Sequence, residues 1–162
     1  MDTSGIESVE RIHKRFKSSG LKLSVAESCT GGLISHLLTN IPGASLFFDS
    51  SIVSYSNEAK MELLGVRASL IRTHGAVSEE VARAMAVAVR KKRRTDFSLS
   101  ITGNLGPEPM EEKPVGLVYM AVNWERDTTS KGMMFEGGRE EIKYQAALSS
   151  LHFLSEVIET WT

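Results

Sequence analysis

Residues 21–40 read Leu-Lys-Leu-Ser-Val-Ala-Glu-Ser-Cys-Thr-Gly-Gly-Leu-Ile-Ser-His-Leu-Leu-Thr-Asn, and they decide the fold. The stretch begins with a short apolar and β-branched run, which predicts a strand. It ends with Leu33, Ile34, Leu37 and Leu38 at helical spacing, which predicts an amphipathic helix. The sequence therefore predicts a strand, a turn and a helix, with small polar residues at the helix N-terminus.

The turn between this strand and helix carries the candidate chemistry. Ser28 and Thr30 supply hydroxyls and Cys29 a thiol, while Gly31 and Gly32 let a ligand approach the backbone closely. The unpaired N–H groups and the dipole of a helix N-terminus favour negative charge. A hydroxyl in this position is a helix N-cap, a phosphate ligand or a nucleophile, and the turn alone leaves all three open.

Composition narrows the class of protein. The 162 residues predict a single domain, 1–162, that is large enough for a hydrophobic core. The charges of the 19 basic and 20 acidic residues nearly cancel, which argues against a nucleic-acid partner. The single cysteine excludes an internal disulfide and a multi-cysteine metal site, and a free thiol predicts a cytoplasmic location.

The sequence also argues against a membrane segment and a metal ion. We expect no membrane segment, because no apolar run approaches the ~20 residues that a spanning helix needs, and the N-terminus lacks a signal pattern. We expect no metal, because the four histidines have no metal-ligand spacing: His13, His36, His74 and His152.

Apolar periodicity along the chain predicts alternating helices and strands. Residues 70–77 are predicted to be a connection, and the basic run 90–94 a solvated helix end rather than a phosphate site. Tyr119 and Tyr144 are predicted to pack in the core. The predicted helices are 5–18, 33–40, 58–64, 79–94 and 139–161, and the predicted strands are 21–26, 46–55, 97–102, 115–124 and 131–136. This order predicts an α/β fold, a three-layer α/β/α sandwich with a mixed β-sheet.

Three polar residues fall at the predicted carboxyl ends of strands, namely Ser28, Tyr55 and Thr102. Sites in open α/β sheets lie at this edge, so one pocket is expected to collect them.

Four short motifs occur along the chain in the same order as in a known protein family. They are A-E-S-C-T-G-G at 26–32, Y-S-N-E-A-K at 55–60, H-G-A-V-S at 74–78 and E-K-P-V-G at 112–116. The chain resembles the CinA C-terminal domain family over residues 8–160, a domain that is also found alone as nicotinamide mononucleotide deamidase. The resemblance implies the same fold and no organic cofactor or metal.

The resemblance also implies an activity. Members of the family hydrolyse the carboxamide of nicotinamide mononucleotide, a pyridine nucleotide, to nicotinic acid mononucleotide and ammonia. By matched position, Ser28 is the expected nucleophile, and Tyr55 and Lys60 are its helpers. The expected substrate-binding residues are Thr30, Gly31, Gly32, Thr102, Gly103 and Arg139.

The chemistry of these residue types is consistent with that reaction. A serine with a lysine base is a known variant of the catalytic triad, and it requires the pKa of Lys60 to fall well below its usual value of about 10.4. Tyr55 is expected to orient Lys60 or relay its proton. Backbone N–H groups near Gly31 and Gly32 are expected to hold the oxyanion, and an anion is expected near the N–H groups of Thr30 to Gly32.

The chain departs from the family pattern outside the three catalytic positions. The family's T-G-I-A-G-P and its following glycines are replaced by Thr-Gly-Asn-Leu-Gly-Pro-Glu-Pro-Met at 102–110. Gly138 stands where the family has an acidic residue, and Ser51-Ile52 stands where it often has a glycine and an aromatic residue. These changes leave two alternatives: a non-catalytic pyridine-nucleotide-binding or regulatory module, and catalysis by Cys29. A homo-oligomer also remains open.

Overall fold

A five-stranded mixed sheet separates two layers of helices. The computed structural model describes residues 3–125 and 127–161. Its strands are β1 (Leu23–Glu27), β2 (Phe48–Val53), β3 (Phe97–Gly103), β4 (Leu117–Trp124) and β5 (Asp127–Met134). Its α-helices are α1 (Thr3–Ser19), α2 (Leu33–Thr39), α3 (Asn57–Leu64), α4 (Ala68–His74), α5 (Glu79–Arg93) and α6 (Arg139–Thr160). The predicted α/β/α sandwich with a mixed sheet is confirmed.

The order of the strands places three carboxyl ends at one edge of the sheet. The order is β2-β1-β3-β4-β5, with β1 parallel to both β2 and β3, and with β4 and β5 antiparallel to their neighbours. Backbone hydrogen bonds continue past the strand ends, from Ser54 N–H to Glu27 O at 2.8 Å and from Ser28 N–H to Ile101 O at 3.1 Å. The segments that follow β1 and β2 are therefore held together at this edge.

The two faces of the sheet pack against different helices. Val25, Leu99 and Met120 are fully buried in the main core, which also contains apolar residues of α1, α2 and α6. Residues with the opposite parity pack on the other side, where Ala26 joins a second cluster with the apolar face of α5. This alternation follows from the two-residue period of a strand.

The serines of β3 lie on the face that packs against α5. Ser98 and Ser100 are fully buried, and their hydroxyls donate to the carbonyls of Ala86 and Ala82 at 2.7 and 2.6 Å. A buried hydroxyl costs free energy unless it is hydrogen-bonded, and here each one is. The small alanines let the helix come close enough to the sheet for these bonds to form.

One predicted connection is a helix. The interpretation of residues 70–77 as irregular is wrong, because α4 occupies most of them. Arg67 at its N-cap makes no side-chain capping bond, so the usual local signal for a helix start is missing. The helix is instead held by packing, since Ile71 is buried in the cluster shared with α5.

The last strand begins earlier than predicted. Residues 131–136 were expected to be a strand, but β5 pairs with β4 in a hairpin in which Trp124 lies opposite Asp127. The polar start of β5, Asp-Thr-Thr-Ser, lies on an edge strand and lacks the apolar alternation that marks a strand. The bounds of the other predicted elements agree with the structure within two residues.

Both tyrosines predicted to pack do so. Tyr144 packs against the main core, and Tyr119 packs beside the buried alanines of α5 and β4. Within the described ranges, no helix has the length and apolar character that crossing a bilayer requires.

Candidate active site

A cleft of about 520 Å³ opens at the carboxyl ends of the parallel strands. This volume is in the range of small-molecule sites. Its lining combines the ends of β1, β2 and β3 with the loop 104–111 and the start of α6. Six of the nine residues predicted for the site are among the lining residues: Ser28, Tyr55, Lys60, Thr102, Gly103 and Arg139. The other three, Thr30, Gly31 and Gly32, do not line the cleft.

A larger hollow lies at the opposite end of the sheet. It measures about 1120 Å³ and is bordered by Arg90, Phe97 and Trp124. The guanidinium of Arg90 already has a partner in the protein, because its Nε–H donates to Asn123 Oδ1 at 2.6 Å. The smaller cleft is the better candidate, because it contains a buried serine hydroxyl beside a buried lysine amine.

That pair is Ser28 and Lys60. Lys60 Nζ lies 3.0 Å from Ser28 Oγ, and the two residues are only 2% and 6% exposed. The same nitrogen lies 3.1 Å from the Ser54 carbonyl oxygen and 3.4 Å from the Tyr55 carbonyl oxygen. Lys60 is thus surrounded by three oxygens and has no carboxylate partner within ion-pair distance among the described residues.

These three contacts fit an uncharged amine. A carbonyl oxygen only accepts hydrogen bonds, so the two N–H groups of neutral Lys60 are matched by the carbonyls of Ser54 and Tyr55. The hydroxyl of Ser28 is then the group that donates to the nitrogen lone pair. Burial lowers the pKa of Lys60, which favours this neutral form, and the negative charge of Glu111 opposes the shift.

Local sequence explains how Lys60 reaches the pair. Ser56 caps α3, with its hydroxyl accepting the N–H of Ala59 at 3.0 Å. Lys60 lies in the first turns of this helix, just after β2. Its side chain therefore points back toward the strand ends rather than into solvent.

Glu27 caps the helix that follows the nucleophile. Its buried carboxylate accepts the N–H groups of Gly32, Ile34 and Ser35 at 3.0, 3.1 and 2.9 Å. It also accepts the hydroxyls of Thr30 and Ser35, each at 2.7 Å. A carboxylate at a helix N-terminus gains from the dipole and from the otherwise unpaired N–H groups. The sequence reasoning missed this role, although the residue stands in the motif.

This cap overturns two expectations about the turn. Neither Ser28 nor Thr30 is the N-cap of α2, and the Thr30 hydroxyl is fully buried against Glu27. The N–H of Gly31 donates to Ser28 O at 3.1 Å, and that of Gly32 donates to the cap. The N–H groups of these two glycines therefore do not serve as the expected oxyanion donors, because both have internal acceptors, whereas the anion expected near the N–H groups of Thr30 to Gly32 stays a prediction.

Tyr55 lies at the mouth of the cleft. Its side chain is 58% exposed, and its hydroxyl accepts a hydrogen bond from Arg139 at 2.7 Å. Arg139 also donates to the carbonyl of Gly106. The structure brings all three predicted catalytic residues to one cleft, but Tyr55 contacts Lys60 through its carbonyl, and its hydroxyl is paired elsewhere.

Glu111 and Lys113 tie the cleft's outer loop to the segment before α5. The Glu111 carboxylate accepts the N–H groups of Ala76 and Val77 at 3.0 and 3.2 Å. The Lys113 ammonium donates to the carbonyls of His74 and Val77. Two of the motifs, H-G-A-V-S and E-K-P-V-G, thus contact each other. The partners are 34 to 39 residues apart, so no local pattern marks Glu111.

The predicted binding residues of β3 have structural partners. The Thr102 hydroxyl is 1% exposed and donates to Ala76 O at 2.8 Å. A Cβ on Gly103 would lie 2.7 Å from the Val118 side chain, so close packing requires the glycine. Arg139 is the exposed, charged member of the predicted set.

Cys29 has the wrong protonation state for a nucleophile. It is 6% exposed and packs in the main core. Burial raises the pKa of its thiol to about 12, so the reactive thiolate is scarce near neutral pH. For the same reason, Cys29 carries no charge that acts on Lys60 there.

A mixed-sheet α/β/α domain with a buried serine–lysine pair at its strand ends is the class that the fold and the site define. Residues 6–158 match the CinA C-terminal domain, and the chain belongs to that family. It is 45% identical over 140 residues to a CinA-like protein of Geotalea daltonii, covering 86% of this chain and 34% of that one. The chain thus spans about a third of the length of the curated relatives it matches.

Solved structures agree with this membership. The competence damage-inducible protein A of Klebsiella pneumoniae superposes with a TM-score of 0.94 at 32% identity, covering 98% of this chain and 99% of that one. The competence/damage inducible protein CihA of Agrobacterium tumefaciens gives 0.93 at 36% identity, covering 99% and 98%. The likeness extends over nearly the whole of each chain.

Proposed function

We propose that the protein is an amidohydrolase that converts nicotinamide mononucleotide to nicotinic acid mononucleotide and ammonia, with Ser28 as nucleophile and Lys60 as base. One observation carries the proposal: the Nζ of a buried Lys60 lies 3.0 Å from Ser28 Oγ, and its other two contacts are carbonyl oxygens, as the free amine of a base would require. Such a nucleophile–base contact is the requirement for serine-type acyl transfer.

The first half of the proposed reaction forms an ester. Ser28 Oγ attacks the carboxamide carbon while its proton moves to Lys60 Nζ, and the carbonyl becomes an oxyanion. Lys60 then returns the proton to the amide nitrogen, the carbon–nitrogen bond breaks, and ammonia leaves. The pyridine acyl group remains on Ser28.

The second half repeats the proton transfers with water. Lys60, again neutral, takes a proton from water as the water oxygen attacks the ester carbon. The proton then passes to Ser28 Oγ as the carbon–oxygen bond breaks, and the nicotinic acid product releases its remaining proton to solvent and leaves as a carboxylate. The burial that lowers the pKa of Lys60 supports both halves, because each begins with the free amine.

The oxyanion requires donors other than the two glycine N–H groups. No acceptor oxygen among the described residues takes the N–H of Cys29 or Thr30. The N–H of the residue after a nucleophile serves as an oxyanion donor in other hydrolases with a strand–turn–helix nucleophile. We assign this part to Cys29 N–H, which leaves its thiol side chain as a packing group.

A non-catalytic pyridine-nucleotide-binding or regulatory module of the same fold is the second candidate. The observation that favours it concerns the loop 104–111. There Glu108, Pro109 and Met110 line the cleft and replace the family's glycines. In this reading the nucleotide binds without turnover.

An ammonia-release assay separates the two candidates. Purified protein is incubated with nicotinamide mononucleotide, and ammonia and nicotinic acid mononucleotide are measured together. Equal amounts of both products, lost in Ser28→Ala, support the hydrolase. Calorimetric binding of nicotinamide mononucleotide without ammonia release would instead support the binding module.

A further inference from the structure

We propose that Glu108 makes the cleft select an amide on a cationic ring, such as the pyridinium ring of nicotinamide mononucleotide, over an amide on a neutral ring. The inference rests on the proposed function and deepens it, because it assigns a residue that determines specificity for the substrate's ring. Glu108 stands in the stretch where the family pattern has glycines, so its carboxylate is a feature of this chain rather than of the shared motifs.

A buried asparagine holds the main chain of Glu108 in place. Asn104 is 4% exposed, and its Nδ2 donates to the carbonyls of Glu108 and Lys113, each at 3.2 Å. Its Oδ1 accepts the N–H of Gly106 at 3.0 Å. Its own N–H donates to Leu117 O at 2.9 Å, which ties the loop to the start of β4. Glu108 therefore has a defined place on the cleft wall, although its loop is exposed.

The carboxylate of Glu108 has no partner in the protein. Within residues 3–125 and 127–161, Glu108 makes hydrogen bonds through its carbonyl, and none of the ion pairs includes its side chain. Glu111, the other acidic residue of the cleft lining, differs, because its carboxylate accepts the N–H groups of Ala76 and Val77. The carboxylate of Glu108 is thus the one in the described lining that is left to contact a ligand.

The charged groups of the cleft lining favour a cation. With Lys60 neutral, as the proposed reaction requires, the lining carries the carboxylates of Glu108 and Glu111 against one guanidinium, that of Arg139. A space of 520 Å³ is roughly 10 Å across, which is close to the distance over which a charge acts at physiological salt. The excess of negative charge therefore acts throughout the cleft and favours a positively charged ligand.

An aromatic ring and a thioether accompany the carboxylate on this wall. Tyr55 lines the cleft with a side chain that is 58% exposed, and its hydroxyl accepts from Arg139 at 2.7 Å, which restrains the ring. Met110, two residues after Glu108, also lines the cleft and is 45% exposed. A cation is attracted to the face of an aromatic ring, and a flat ring packs well on aromatic and thioether groups. Together with the carboxylate, these groups match a flat ring that carries a positive charge.

The proposed chemistry places the substrate's ring in the cleft. The carboxamide carbon is bonded directly to the ring, so attack by Ser28 Oγ requires the ring to lie among the lining residues. In nicotinamide mononucleotide, the ring nitrogen carries the ribose and a positive charge. In the reduced nucleotide, a dihydropyridine, the ring is neutral while the carboxamide, ribose and phosphate are unchanged. The two forms therefore differ in the property that Glu108 recognises.

The test compares the binding of the oxidised and the reduced nucleotide. Calorimetry is carried out in a Ser28→Ala background, which prevents turnover. We expect Glu108→Gln to raise the Kd for nicotinamide mononucleotide about three- to fivefold, in line with the loss of one exposed charge contact, and to leave the Kd for the reduced form within about 1.5-fold. Glu112→Gln is the matched control, because Glu112 is an exposed glutamate near Glu108 that does not line the cleft.

The result of this test does not depend on the result of the ammonia-release assay. A loss of affinity in Glu108→Gln for the oxidised form alone supports the inference, even if the wild type releases no ammonia. Wild-type affinities in Glu108→Gln, an equal loss for both forms or an equal effect of Glu112→Gln would overturn it, even if the wild type hydrolyses nicotinamide mononucleotide. Absence of binding of both nucleotides to the Ser28→Ala protein would overturn it as well.

Discussion

The cleft has two walls that are built differently. The inner wall, residues 27–30 with Lys60, is buried, and the carboxylate of Glu27 there accepts five hydrogen bonds at 2.7 to 3.1 Å. The outer wall, residues 104–113 with Arg139, is largely exposed and attaches to the rest of the fold at a few points, chiefly Asn104, Glu111 and Lys113.

The two walls suit different parts of the proposed reaction, the inner wall the proton transfers and the outer wall the recognition of the substrate. Rigid burial is what a lysine base needs, because removal from water is the first cause of its lowered pKa. Exposed side chains that retain unpaired donors are what substrate recognition needs. It is therefore consistent that the chain keeps the A-E-S-C-T-G-G motif on the inner wall and departs from the family pattern at residues 104–110 of the outer one.

The largest expected effect tests the inner wall's chemistry. Ser28→Ala and Lys60→Ala should each lower kcat for ammonia release by about 10³-fold or more, and the double variant should cost little beyond either one, because groups that act as a unit are not additive. Cys29→Ala is the control and should retain most of the activity. An active Ser28→Ala with an inactive Cys29→Ala would reverse the assignment of the nucleophile.

The inner wall should also dominate stability. Glu27→Ala removes the acceptor for three backbone N–H groups, one buried and two half-buried, and should lower the free energy of unfolding by about 3–5 kcal/mol. Urea denaturation followed by circular dichroism measures this change. Glu10→Ala, an exposed site on α1, should change it by less than about 0.5 kcal/mol. Similar midpoints for both variants would contradict the role of the cap.

The pH dependence of kcat should depend on both walls, because Glu111 on the outer wall affects the pKa of Lys60 on the inner one. Turnover requires neutral Lys60, so kcat should rise as pH increases through the lowered pKa of Lys60. Glu111→Gln removes the negative charge that raises this pKa, so the rising limb should move to lower pH. Glu112→Gln, its exposed neighbour, is the matched control. A limb that moves to higher pH in Glu111→Gln, or equally in both variants, would contradict the coupling.

The same shift has a consequence for stability. Between the lowered pKa of folded Lys60 and the ordinary value of 10.5, the unfolded chain binds more protons at this site than the folded one. The free energy of unfolding contributed by Lys60 should therefore rise with pH across that window. Lys60→Met, which keeps much of the apolar stem, should reduce this rise in pH-dependent urea denaturation. An unaltered pH slope would show that the folded lysine keeps its ordinary pKa.

The smallest expected effect concerns the outer wall. Tyr55→Phe removes one hydroxyl that accepts from Arg139 but keeps the carbonyl that contacts Lys60. We expect a change of about two- to tenfold in kcat/KM, in line with one partly exposed hydrogen bond. A loss as large as that of Lys60→Ala would show that the hydroxyl relays the proton, as the resemblance first suggested.

The sequence by itself determined the strand, turn and helix around Ser28, the mixed α/β/α architecture and the family, because these depend on local periodicity and on motifs that are contiguous in the chain. It also placed Ser28, Tyr55 and Thr102 at one edge, since parallel strands end on the same side of a sheet. Only the tertiary structure decided the surroundings of Lys60 that lower its pKa and bond its amine. They consist of burial by the whole fold and of the carbonyls of Ser54 and Tyr55.

Tertiary structure likewise decided which groups of the turn are available. Glu27 lies in the A-E-S-C-T-G-G motif, yet nothing local shows that its carboxylate accepts the N–H groups of Gly32 and Ile34. Glu111 contacts Ala76 and Val77 across 34 residues or more, so its contacts have no signature in the spacing of the sequence. Local pattern specifies backbone elements, whereas hydrogen-bond partners, burial and charge at the cleft arise only when distant segments pack together.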